Sequence, residues 1–236
     1  MTPFRLMAVL FIYGGTTLAW FILDGTIADR TGESNGALAR EVERLWGGRH
    51  RQVAPTVEIG RPRQIAEDVI ERDEKGNGVV REVRKTVIDR VPIPLTSTRA
   101  DVSLSLDQRR KGLLWYDTYG VSFKARYTVR NPDNEPRQLR VHFAFPSWKA
   151  IYDAFVFRVD GKDAPPVTDL SQDLTSETTL APGAEAVIEI AYRSRGMDDW
   201  TYAFAKGGVA QVRDFELVMK TDFDRIDFPV GTISPH

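Results

Sequence analysis

Residues 121–130 read VSFKARYTVR, with Val121, Phe123, Ala125, Tyr127 and Val129 apolar or aromatic and every residue between them polar or charged. Successive side chains of a β-strand point to opposite faces, so this alternation predicts a strand with one buried and one wet face. The same pattern precedes it at Val102, Leu104 and Leu106. It follows at Leu139, Val141, Phe143 and Phe145, and again at Phe155, Phe157 and Val159. Asn131 to Glu135 and Asp160 to Lys162 supply turn residues between these runs. Leu180-Ala-Pro-Gly183 then leads into VIEIAY at 187–192, and Phe215, Leu217 and Met219 form a last alternating run. Many short strands at such spacing predict a mainly β protein, an antiparallel β-sandwich-like domain over residues 53–236. The charged, glycine-containing segment Asp73 to Gly78, between β-like stretches at Val57 to Ile59 and Val79 to Ile88, reads as an exposed hairpin tip.

Upstream the pattern changes. Leu6 to Leu23, LMAVLFIYGGTTLAWFIL, carries no charge and is bounded by Arg5 and Asp24. With Phe4 included it makes about 30 Å of helix, the thickness of a bilayer's hydrocarbon core, so residues 1–23 are expected to be a transmembrane anchor contacting lipid through residues 6–23. Arg5 and the α-amino group precede the span while Asp24 and Asp29 follow it, which predicts a cytoplasmic N-terminus and an extracytoplasmic remainder. The run exceeds a typical signal core, and its exit, Trp20-Phe-Ile-Leu23, lacks the small residues of a cleavage site, so an uncleaved anchor is expected. Residues 24–52 form a juxtamembrane helix and linker. Ala37 to Trp46 places Leu38, Val42 and Leu45 at helical spacing, and Gly47-Gly48 ends the helix through a left-handed cap.

The 236-residue chain is 42% hydrophobic, enough for a real core, and its net charge of −1 provides no field to gather nucleic acid. It has no cysteine, which removes disulfides, thiolate metal sites and cysteine nucleophiles. His50, His142 and His236 lie far apart with no paired spacing, so no metal site, cofactor site or histidine triad is expected. No Walker sequence, G-x-S-x-G or dinucleotide fingerprint occurs, and no catalytic residue is assigned. Asp198, Asp199, Asp214, Asp222 and Asp224 fall where strands end, and ordinary turn acids account for them better than the paired carboxylates of a glycosidase. Arg109, Arg110 and Lys111 beside Trp115 and Tyr116 form the candidate interaction surface, the basic run able to meet phosphate groups of lipids and the aromatic pair to stack on sugars or pack at a membrane interface. The plainer reading is a charged strand edge with aromatic rim residues, and the same holds for Trp200 and Tyr202.

The order of several segments resembles the CreD family of bacterial inner-membrane proteins. The resemblance runs through TIADRTGESNGALAREVERLWGG (residues 26–48), QVAPTVEI (52–59), RRKGLLWYDTYGVSFKARY (109–127) and DFDRIDFPVGTISPH (222–236). Ala54-Pro55 stands where that family has Gly-Pro. The resemblance implies a non-enzymatic inner-membrane protein of envelope integrity or colicin tolerance, with a periplasmic β-rich interaction domain and other envelope proteins as partners. It also implies further spans near the C-terminus, so that this sequence would be either a piece of a longer chain or a shortened relative. The alternative from another class is a membrane-tethered periplasmic hydrolase or carbohydrate-binding protein.

Overall fold

The computed structural model of the protein describes residues 3–72, 78–164, 173–205, 211–229 and 231–233, with backbone alone at residues 6, 27–35, 68–72 and 78–81. Helix α1 spans Pro3–Trp46. Strands β1 (His50–Val53), β2 (Thr56–Arg72), β3 (Gly78–Ile93), β4 (Leu95–Leu106), β5 (Arg109–Lys111), β6 (Leu114–Tyr116) and β7 (Thr118–Arg130) follow. The remainder are β8 (Arg137–Phe143), β9 (Tyr152–Val159), β10 (Lys162–Asp163), β11 (Leu174–Leu180), β12 (Glu185–Met197), β13 (Trp200–Ala203) and β14 (Phe215–Thr221).

The fold is mainly β. A six-stranded sheet, β10-β9-β12-β7-β4-β14, faces a four-stranded sheet, β11-β8-β2-β3, and the alternating residues of both inner faces form one core. Phe123, Tyr127, Ile188, Ile190 and Tyr192 enter it from the larger sheet, and Ile59, Leu139, Val141 and Phe143 from the smaller. The chain changes sheets at Pro94, between β3 and β4, where a residue without an N–H interrupts the ladder. Asp160 and Gly161 both take positive φ, 53° and 73°, in the tight turn joining β9 to β10. Two pairings depart from the antiparallel expectation. Strand β14 lies parallel to β4, and β1 lies parallel to β13. Regular β structure begins at His50, three residues before the expected boundary at Val53. The segment 222–229 carries no strand.

Strands β2 and β3 stay paired from Val57↔Ile93 to Arg72↔Gly78, whereas β8 accompanies β2 only as far as Ile59. Beyond that point a two-stranded ribbon leaves the body of the sandwich. Its root is tied down by Asp133, whose carboxylate takes hydrogen bonds from Arg61 (2.6 Å) and Arg137 (2.7 Å); those bonds, Arg61 first, hold its pKa below the ordinary carboxylate value. The expected hairpin tip falls at 73–77, outside the described residues.

Helix α1 is continuous, so the expected anchor and juxtamembrane helices are one rod. It ends where the sequence predicts: Gly47 has φ +91°, its N–H donates to the Glu43 carbonyl at 2.9 Å, and a Cβ there would collide with the Arg195 carbonyl. From Pro3 to Thr26 none of the described side chains of the apolar stretch is buried by the rest of the chain.

Candidate functional site

The C-terminal turns of α1 are held by a clasp. Val42 packs with Tyr116 and Met197, and Leu38, Ala39, Trp46 and Leu114 surround them in a small core separate from that of the sandwich. Two guanidinium groups make cation–π contact with Trp46, Arg109 at 4.1 Å and Arg195 at 5.0 Å from the ring centroid. Lys111 pairs with Glu41 on the helix, and Arg109 also pairs with Asp107.

The structure therefore gives the candidate basic and aromatic residues different roles. Arg109, Lys111 and Tyr116 face inward onto the helix. Arg110, whose Nε donates to the Gly112 carbonyl at 3.2 Å, and Trp115, 63% exposed, face solvent. Trp200 and Tyr202 pack against the sandwich core. The acids also separate. Asp198 and Asp199 lie 3.3 and 3.1 Å from Arg49 Nε, Asp214 lies 2.6 Å from Arg99, and Asp222 accepts the Leu106 N–H at 2.9 Å. Asp224 is exposed in the segment after β14. Each of the four engaged acids has a structural partner.

Sequence reasoning missed a buried polar cluster behind the clasp. His50 is fully buried, with Nδ1 3.0 Å from the Gly48 carbonyl and Nε2 3.0 Å from Ser194 Oγ. Ser194 Oγ is also 2.9 Å from the Ile151 carbonyl. A neutral ring that donates from Nδ1 to Gly48 must accept at Nε2, and the single Ser194 proton then serves His50 or Ile151 but not both. Only an imidazolium satisfies all three contacts. Burial nevertheless pushes the His50 pKa down, against the Gly48 carbonyl and the Asp199 charge, while Tyr119 and Tyr152 flank the ring at 5.9 and 6.3 Å. The sign follows: in the ordinary histidine range the unfolded chain takes up a proton that the folded chain does not, so acidification destabilises the fold. Unfolding free energy is expected to decline between about pH 7.5 and about pH 5.5, and the His50→Gln variant to show a flatter dependence. The same pH dependence in both proteins, read from a denaturant series at each pH, would refute the assignment to His50. The signal available beforehand was a histidine and a glutamine, His50 and Gln52, at the inward positions of a short strand.

The solvent face of the six-stranded sheet divides into unlike halves. Register aligns Glu216, Arg99, Arg126, Glu189 and Arg158 across five strands, and these long side chains neutralise one another, as in Arg99–Glu216 (3.1 Å) and Arg126–Glu189 (2.7 Å). Four residues further along, the aligned row is Lys220, Ser103, Ser122, Arg193 and Asp153. Two residues further along the same face the row has Ser105, Gly120 and Arg195, and a Cβ at Gly120 would sit 2.8 Å from Ser105 Oγ. Short side chains thus lower the floor. The end of α1 at Arg44 to Gly47 and the segment near Lys149 and Ile151 wall the resulting groove, whose volume is about 690 Å³.

No family model matches this chain, and no curated protein matches it. Among solved structures it is similar to a Legionella pneumophila chain whose description names nutrient binding as a suggested role, at 16% identity over 43% of this chain and a TM-score of 0.31. This chain spans 39% of that one, and a likeness at this level carries no argument about function.

Proposed function

We propose that the protein is a non-enzymatic, inner-membrane-anchored module of the bacterial cell envelope, of the CreD kind, presenting its β-sandwich on the periplasmic side. The observation that carries this reading is that the apolar stretch Pro3–Thr26 has no burial within the chain, yet is continuous with the helix turns clasped by the sandwich. A helix with so much apolar surface requires an apolar surrounding, and an uncharged run of this length matches the bilayer core. Charges on either side of the span favour a cytoplasmic N-terminus. At about 1.5 Å per residue the clasp, from Leu38 to Trp46, lies about 18 to 30 Å along the helix axis from Thr26 at the end of the span. The envelope assignment draws on the order of the CreD-like segments, and the non-enzymatic one on the absence of a catalytic motif and on the structural pairing of the strand-end acids.

The test is topological. A reporter active only outside the cytoplasm, fused after His236, is expected to be active, and alkaline carbonate is expected to leave the full-length protein in the membrane. A soluble product shortened by the N-terminal stretch overturns the anchor, and a silent reporter on an intact membrane protein overturns the orientation.

A further inference from the structure

The groove on the larger sheet is built differently from the rest of the face it belongs to, and the difference points to a ligand. Lys220 and Arg193 flank Ser103 and Ser122 in a row that ends beyond Arg193 on Asp153; they are three strand spacings or about 14 Å apart, so both side chains can close over a molecule resting on the serines. Together with Arg44 on the helix wall, they make no ion pair among the described residues. The groove has five cationic residues, the other two being Lys149, paired with Glu43 at 3.0 Å, and Arg195, stacked on Trp46. Its two carboxylates are Asp153 and Asp222, and the second is engaged by the Leu106 N–H. The helix C-terminus adds only a partial negative charge. The other half of the same face satisfies its charges internally.

We propose that this groove binds a soluble organic anion of sugar size carrying phosphate or carboxylate groups. Lys220, Arg193 and Arg44 take its charge, and Ser103 and Ser122 exchange hydrogen bonds with its oxygens. A volume of about 690 Å³ lies within the range of small-molecule sites. Phosphate groups are also offered by lipids, but Arg44 lies about 27 Å along the helix from Thr26, well beyond the headgroup layer of the bilayer proposed to hold the span. The inference does not depend on which side of the membrane the domain occupies.

Calorimetric titration of the full chain in neutral-lipid nanodiscs tests it, with fructose 1,6-bisphosphate, digalacturonate, maltose and phosphatidylglycerol vesicles as probes. At least one of the two anionic sugars is expected to bind while maltose does not. Its affinity is expected to fall about tenfold in Arg193→Gln and again in Lys220→Gln, the loss of one charged hydrogen bond each. Arg126→Gln, on the neutralised half of the face, leaves it unchanged. All three positions are exposed, so the variants keep the fold. The proposal is overturned if neither anion binds at about millimolar concentration, a range in which even weak complexes form. It is equally overturned if maltose binds as tightly, if Arg126→Gln weakens binding as much, or if the vesicles alone bind.

Discussion

Replacing Phe123 by Ala is expected to lower the unfolding free energy by about 3–5 kcal/mol, the usual cost of truncating a buried aromatic ring. Phe123 is fully buried at the middle of β7, stacked on Tyr192 at 5.1 Å and tilted against Trp200 at 6.3 Å. Strand β7 lies between β12 and β4 in the larger sheet, so neighbours fixed on both sides limit collapse around the void. Set against the roughly 5–15 kcal/mol that stabilises a typical domain, this is a large share. Denaturant unfolding of the full chain in micelles, followed by tryptophan fluorescence, measures it. A loss under about 1 kcal/mol would mean that the two sheets do not meet over this ring. Arg126→Gln, on the outer side of the same strand, is expected to change stability by about 0.5 kcal/mol or less.

The second large effect lies in the helix. Arginine at both Ile12 and Leu18 is expected to oppose membrane insertion by about 5–7 kcal/mol in total, at roughly 2.5–3.5 kcal/mol for each charge near a span centre. Most of the protein then leaves the carbonate-resistant membrane fraction. Both side chains are exposed and far from the clasp, so the circular dichroism of the β domain is expected to stay the same. Full retention in the membrane would show that something other than this helix holds the protein there.

What the sequence revealed, and what it hid, follows from how far each interaction reaches along the chain. Strands β7, β8 and β12 are legible because each buries one face, and burial writes itself as a period of two, as from Val121 to Val129. The ribbon of β2 and β3 is harder to read. With its described side chains from Pro62 to Glu67 and from Glu82 to Thr86 largely exposed on both faces, residues such as Gln64, Glu67 and Arg84 have no reason to alternate with apolar ones. The parallel placement of β14 beside β4 leaves no local trace, since Phe215, Leu217 and Met219 state a face but not a neighbour. Ser194 meets His50 across 144 residues, and no spacing rule connects them. The basic run at Arg109 to Lys111 was visible as charge, but its use was not, because Trp46 and Glu41, which engage it, lie on a helix with no sequence link to the β5–β6 hairpin. The groove was invisible for the same reason. Ser103, Ser122, Arg193 and Lys220 become one row only when four strands are set in register.

The unbroken run of α1 from the apolar stretch into the clasp has a mechanical consequence. With its apolar end in lipid, as proposed above, and its other end held by the contacts of Trp46 with two arginines, the rod would transmit direction without an intervening hinge. Spans accommodate thicker or thinner bilayers by changing tilt. Each such change would swing the whole β body like a pointer on a shaft. The ribbon would move with the body it leaves, so membrane thickness alone could re-aim it with every contact inside the sandwich intact.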